Sequence, residues 1–146
     1  MPTPYRLAFN DLTVFLAELA GMSQRLEGTV TSLTRSVAFI TCPDVDHPVY
    51  CPAPVLRAVG ASSGTLISFR LRISDRRRPQ AFEVSLVDMA TLVQRVKDRQ
   101  RTGEDEREQW RHYCRSSGHS IFDPRRHEAS FLQGFFQFVH QQENEG

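Results

Sequence analysis

The sequence predicts a β-barrel with added helices: one small five-stranded barrel, an N-terminal helix and about three C-terminal helices. Two observations lead to this fold class. Five short β-prone runs follow one another in the first half of the chain, and the flanking segments space their apolar residues as helices do. The 146 residues have room for one ordinary domain, or for one very small domain with helical additions. We therefore divide the chain into an N-terminal helix (1–25), a barrel domain (26–88) and a helical extension (89–146).

The strands are predicted from β-forming residues and from alternation. The clearest alternation is in the fourth run, where Ile67, Phe69 and Leu71 fall on one face while Arg70 and Arg72 fall on the other. A barrel is favoured over an open sheet because closure leaves no exposed strand edge. The predicted strands are residues 28–33, 36–42, 48–51, 65–73 and 80–87.

The helices are predicted from apolar spacing and from capping residues. Asp123 followed by Pro124 is typical of a helix start, because the carboxylate accepts free backbone N–H groups and proline suits the first turn. Residues 52–64, between the third and fourth strands, are expected to form a long loop. The predicted helices are residues 11–20, 89–101, 104–116 and 124–142.

Four short motifs follow one another in the predicted barrel. They are Gly28-Thr29-Val30, Ala38-Phe39-Ile40, Val49-Tyr50, and Pro79-Gln80-Ala81 followed by Val84. In this order they resemble the cold-shock domain, a five-stranded barrel with the OB fold. The last motif matches that family's Gly-Pro-Gln-Ala-x-x-Val ending, except that Arg78 stands in the place of the glycine. The resemblance covers the predicted barrel and not the helices.

This resemblance implies binding of single-stranded nucleic acid. Proteins of the family stack unpaired bases on aromatic side chains, and each stacked base contributes about 1–3 kcal/mol. At the matching positions this chain has Phe39 and Tyr50. Strand alternation turns Phe39 away from Ile40, and Tyr50 away from Val49, so both rings are expected on the outer surface. The resemblance implies RNA as the partner, with single-stranded DNA as the open alternative.

Three positions depart from the family pattern and remove aromatic or histidine side chains. Val37 replaces an aromatic residue, Ser32 replaces a tryptophan and Pro52 replaces a histidine. Arginines offer compensation, since a guanidinium binds phosphate and also stacks on bases. The open alternative is that these arginines are solvated turn residues without a ligand. Besides the two rings, the candidate nucleic-acid contacts are Arg35, Arg57, Arg70, Arg72, Arg76, Arg77, Arg78 and Gln80.

The helical extension supports an alternative function. Its last predicted helix carries Phe131, Phe135 and Phe136, which are too apolar to remain in water. They pack either on the protein itself or on a partner. In the second case the chain is a protein-interaction or assembly factor with a degenerate barrel, and its helices dock a protein partner, a ribonucleoprotein particle or a second copy as a homodimer. That alternative predicts an exposed aromatic patch at the three phenylalanines.

Charge and cysteine content limit the partners and the compartment. The 18 basic and 17 acidic residues nearly cancel, so any attraction to nucleic acid must come from local patches. Three cysteines without a secretory segment predict a reduced intracellular compartment, cytoplasmic or nuclear, with an organelle left open. No apolar run approaches the roughly 18 residues of a membrane span, so no membrane partner is expected.

No motif indicates catalysis, a metal or a cofactor. The glycines at 60 and 64 bracket Ala61-Ser62-Ser63 without the lysine of a phosphate-binding loop. Residues of zinc-binding type occur, but their spacing matches no structural zinc pattern. We therefore expect a binding protein that is not an enzyme and has neither metal nor cofactor. The residues of zinc-binding type are Cys42, His47, Cys51, His112, Cys114 and His119.

Overall fold

The computed structural model of the protein describes residues 25–145, with side chains for residues 25–143. The N-terminal helix predicted at 11–20 lies outside the described residues. Backbone contacts divide the described residues into two compact units, one that ends at Leu86 and one that begins at Val87.

Five strands close into a barrel in the first unit. They are β1 (Leu26–Leu33), β2 (Val37–Thr41), β3 (Val49–Pro52), β4 (Leu66–Ile73) and β5 (Pro79–Leu86). Their order around the barrel is β1-β2-β3-β5-β4. Neighbouring strands are antiparallel except β3 and β5, which run parallel. The predicted barrel is confirmed, and its architecture is that of an OB fold with helical extensions.

A short helix, α1 (Ala53–Ala58), lies between β3 and β4. The loop predicted at 52–64 is therefore wrong for these six residues. A proline in the first turn presets the backbone for a helix. Ala53 and Leu56 are fully buried, and Leu56 belongs to the hydrophobic core of the barrel. A six-residue helix is too short to be stable alone, so α1 depends on the burial of these two side chains.

Alternate strand residues fill the barrel interior. Full burial of one valine, leucine, isoleucine or phenylalanine side chain contributes about 1.5–3 kcal/mol to the free energy of unfolding. Gly28 marks a close approach inside this core, because a Cβ there would lie 2.6 Å from Cγ2 of Ile40 and 2.9 Å from the carbonyl oxygen of Thr41. Only glycine lets β1 pass this point without displacing its neighbours. The largest fully buried barrel residues are Phe69, Ile40, Leu56, Ile67, Val30, Val45 and Val49.

All three cysteines are buried as free thiols. Burial raises the pKa of Cys42, Cys51 and Cys114 to about 11. The reactive species of a cysteine is its thiolate, so these side chains behave as small apolar groups at neutral pH.

We expect the native protein to react very slowly with a thiol reagent such as Ellman's reagent at pH 8, and all three thiols to react at once in denaturant. The folded state binds the three thiol protons more tightly than the unfolded state does. The protonated thiols therefore contribute fully to the free energy of unfolding below pH 9, and this contribution is lost as the pH rises towards about 11. Rapid labelling of the native protein at pH 8 would contradict the buried positions.

Three α-helices and one 3-10 helix form the second unit. They are α2 (Met89–Thr102), α3 (Glu104–Ser116), the 3-10 helix (Pro124–Arg126) and α4 (Ala129–Glu145). The helices predicted at 89–101 and 104–116 are confirmed. Among residues 25–145, no helix is both long enough and apolar enough to cross a membrane.

The single helix predicted over 124–142 is wrong at its beginning. Asp123 does cap a helical turn, since its carboxylate accepts the N–H of Arg125 at 3.0 Å. The turn ends at His127, whose backbone is extended (φ −114°, ψ 158°). The His127 ring is held by a contact of 2.8 Å between its Nε2 and the carbonyl oxygen of Ile121. This contact interrupts the helix, and α4 begins two residues later.

An aromatic core holds the helical unit together. Trp110 is completely buried, and its indole N–H donates to the carbonyl oxygen of Phe122 at 2.8 Å. The Trp110 ring packs edge to face against Phe135, with centroids 5.0 Å apart. Tyr113 adds a hydrogen bond from its hydroxyl to the carbonyl oxygen of Phe131 at 2.8 Å. Burial of large rings with their polar atoms paired is the arrangement that stabilises such a core.

The alternative function predicted that Phe131, Phe135 and Phe136 are exposed, and this prediction is wrong for Phe135. Phe135 is fully buried because it packs on Trp110. Phe131 and Phe136 are half-buried, and Phe131 stacks on His127 with ring centroids 4.4 Å apart. Binding of a partner through these helices stays a prediction.

Candidate nucleic-acid interface

One row of outward side chains crosses all five strands of the barrel. Strand register pairs Ser32 with Phe39, Phe39 with Tyr50, Tyr50 with Gln80, and Gln80 with Arg72. Each of these side chains is exposed or half-buried. The strand neighbours of Phe39, Tyr50 and Gln80 are buried, whereas Thr31 beside Ser32 is half-buried at an irregularity of β1. We call these five residues the outer row. It places two aromatic rings, an amide and a guanidinium side by side on one surface.

The two rings of the outer row are neighbours on β2 and β3. Their centroids are 6.3 Å apart and their planes make an angle of 66°, so one ring meets the other by its edge. Ala38, Ile40 and Val49, which alternate with them, are fully buried. The predicted outward orientation of Phe39 and Tyr50 is therefore confirmed. Their use as stacking surfaces stays a prediction.

Phe82 extends the aromatic surface on β5, and the sequence analysis missed it. The Cζ atoms of Arg70 and Arg72 each lie 5.1 Å from the centre of the Phe82 ring. Both distances suit cation–π contact, which holds the two guanidiniums against the barrel. Arg70 also forms an ion pair with Glu83, with 2.9 Å between Nη1 and Oε2. Alternation from Gln80 was the signal that could have placed Phe82 on this face.

Residues 74–78 connect β4 to β5, with a three-residue turn, 75–77, between the paired Ser74 and Arg78. The N–H of Ser74 donates to the carbonyl oxygen of Arg78, and the N–H of Arg77 donates to that of Ser74, both at 2.9 Å. Arg77 has a φ of 59°, the left-handed position at which such hairpin turns usually carry glycine. The hydroxyl of Ser74 accepts the N–H of Arg78 at 3.3 Å. This network fixes the backbone of the arginine-rich turn beside the outer row.

The turn and the outer row enclose a cleft of about 400 Å³. Tyr50 and Gln80 line it together with residues of the turn. Within the described chain, no hydrogen bond or ion pair engages the side chains of Arg76 and Arg78. The cleft thus combines a π surface, an amide, a carboxylate and two free guanidiniums. Its lining consists of Tyr50, Ser74, Asp75, Arg76, Arg78 and Gln80.

The remaining candidate arginines have other surroundings. Arg57 uses Nη1 to donate to the carbonyl oxygen of Arg35 and Nη2 to donate to that of Thr34, both at 2.7 Å. Arg57 therefore fastens α1 to the turn between β1 and β2. Arg35 is exposed in that turn, and Arg77 is exposed in the β4–β5 turn. Arg76 and Arg78 thus line the cleft beside Tyr50, and Arg70 and Arg72 both lie against Phe82. Arg57 is engaged away from these rings.

No metal site is formed by the part of the chain that the structure describes. Among residues 25–145, no group of three or more histidine, cysteine, aspartate or glutamate side chains is arranged to hold a metal ion. Cys42, Cys51 and Cys114 are buried, and none is paired in a disulfide.

The fold and the site together define an OB-type barrel with an aromatic and arginine-rich outer surface. No protein-family model matches the chain, and no curated protein matches it. Among solved structures, it is similar to a multidomain protein with nucleic acid binding domains from Streptococcus pneumoniae, at 18% sequence identity and a TM-score of 0.36. The likeness covers 51% of this chain and only 26% of that one.

Proposed function

We propose that this chain binds single-stranded nucleic acid, RNA in preference to DNA, on the outer surface of a barrel of the cold-shock type. One observation carries the proposal: Phe39 and Tyr50 stand side by side on β2 and β3, next to the arginine-rich β4–β5 turn. OB folds bind oligonucleotides on this strand 2–3 face and with the loops that follow strands 1 and 4.

Bases and backbone would use different parts of this surface. Unpaired bases stack on the half-buried rings, whose π-faces accept any base. The exposed guanidiniums of Arg76 and Arg78 bind the phosphates between those bases. Arg72, which Phe82 holds at 5.1 Å, extends the cationic surface along the outer row. Affinity then comes from stacking and local charge, as the nearly neutral composition requires.

We also propose that the chain is a binding protein and not an enzyme. Among the residues that the structure describes, the lining of the cleft at the outer row includes one carboxylate and neither histidine nor cysteine. The three thiols are buried, and their raised pKa keeps them protonated at neutral pH. Free cysteines also fit a reducing intracellular compartment.

The proposal is tested by titrating fluorescent U8 and T8 oligonucleotides at several salt concentrations. We expect binding that weakens as salt rises, with U8 bound more tightly than T8. Each phosphate contact adds about 0.7 to the slope of log K against log salt for a single strand. The double variant Arg76→Ala/Arg78→Ala should therefore lose about 1.4 from that slope.

The matched control removes the same charge from the helical unit. Arg101→Ala/Arg115→Ala changes two exposed arginines of α2 and α3. The slope of this variant should equal that of the wild type. Absence of binding at low salt, or equal slopes for both double variants, would overturn the proposed interface.

A further inference from the structure

The cleft contains a carboxylate that phosphate binding does not explain. Asp75 opens the β4–β5 turn, is exposed, and lines the cleft with Tyr50 and Gln80. No hydrogen bond or ion pair engages its side chain within the described residues. A carboxylate repels a phosphate backbone, so on a surface for phosphates alone it would only weaken binding. Its position beside a ring instead suits contact with a base.

We propose that Asp75 and Gln80 select guanine by contacting the Watson–Crick edge of a base stacked on Tyr50. This inference rests on the proposed function. Tyr50 and Gln80 are partners in the strand register, so the amide stands beside the ring on which the base would lie. Asp75 lines the same cleft from the turn that joins β4 to β5. A base stacked on Tyr50 would therefore share one cleft with both polar side chains.

The hydrogen-bonding groups of guanine complement this pair. An ionised carboxylate only accepts hydrogen bonds, and it accepts two side by side. Guanine is the base whose Watson–Crick edge presents two adjacent donors, N1–H and the 2-amino group. Its O6 is an acceptor, which suits the N–H2 group of the Gln80 amide. Recognition of unstacked bases at this edge is the usual way in which proteins read single-stranded RNA.

The other bases place an acceptor where the carboxylate needs a donor. Adenine has N1 next to its amino group, cytosine has N3 next to its amino group, and uracil has a single N–H between two carbonyl oxygens. Each offers the carboxylate at most one hydrogen bond and one repulsive contact. A bidentate contact typically separates the right base from a wrong one by about tenfold or more.

The test compares U8 with versions that carry one central guanine, inosine, adenine or cytosine. We expect the wild type to bind the guanine version about tenfold more tightly than U8. Inosine lacks the 2-amino group and should recover only part of this gain. Asp75→Asn should abolish the ratio between the guanine and U8 affinities, while U8 itself binds more tightly because a charge that repels phosphate has been removed. Asp46→Asn is the control, because it removes an exposed carboxylate from the β2–β3 connection and should leave the preference unchanged.

The outcomes separate this inference from the proposed function. If U8 binds and guanine adds nothing, the inference fails while the binding function stands. A preference that survives in Asp75→Asn would also overturn it. If no oligonucleotide binds, both fail together. The comparison of guanine with inosine uses the wild-type protein, so equal affinity for the two versions would overturn the inference even if the Asp75 variant does not fold.

Discussion

Replacing both Phe39 and Tyr50 with alanine should lower the affinity for U8 by at least about thirtyfold. Each stacked base contributes about 1–3 kcal/mol, so the loss of two surfaces removes about 2 kcal/mol or more. The rings point outward, and the core behind them is formed by other residues, so the barrel should still fold. Fluorescence anisotropy titrations at one fixed salt concentration measure the change.

The two single variants add a test of cooperation between the rings. Because the rings meet edge to face, removal of one also frees the other, and the two losses need not add. Phe122→Ala serves as control, since Phe122 is an exposed aromatic residue of the helical unit. Unchanged affinity in the double variant would show that the outer row is not the binding surface.

Trp110→Ala should lower the free energy of unfolding of the helical unit by about 3–5 kcal/mol, the usual loss for a buried tryptophan or phenylalanine. The substitution leaves a cavity among Tyr113, Phe131 and Phe135, and leaves the carbonyl oxygen of Phe122 without its indole donor. Urea unfolding followed by far-ultraviolet circular dichroism measures the loss. Trp110→Phe keeps a ring in the cavity and should lose less. A loss below about 1 kcal/mol in the alanine variant would contradict the central role of this ring.

The barrel could be predicted from the sequence because its signals are local. Alternation of period two assigns inward and outward residues without knowledge of the neighbouring strands. That pattern was enough to turn Phe39 and Tyr50 outward, as the burial of Ile40 and Val49 confirms. Closure of the barrel was predicted because it leaves no exposed strand edge, and the order of the short motifs resembled a closed five-stranded barrel.

The errors arose where distant contacts decide the local structure. The six residues of α1 span fewer than two turns, so they show no helical period, and their helix depends on Leu56 entering the barrel core. The break before α4 depends on the contact between the His127 ring and the carbonyl oxygen of Ile121. Neither contact can be predicted from the spacing of apolar residues in the sequence.

Parts of the candidate site were hidden for a different reason. The β4–β5 turn has Arg77 in a left-handed conformation without the glycine that usually announces such a hairpin. The distance between the turn and the rings could therefore not be predicted from the sequence. Asp75 was visible only as part of a charged turn, and its approach to Tyr50 and Gln80 emerged from the folded hairpin.

The pairing of Tyr50 with Gln80 also closes the cylinder, because it joins β3 to β5 where β3 has only four residues. We call this junction of β3 and β5 the seam. A ligand that contacts both Tyr50 and Gln80 would hold the two strands together from outside. Binding and seam opening then oppose each other, so bound oligonucleotide should slow amide hydrogen exchange at this junction. By the same linkage, any change that loosens the seam would release the ligand.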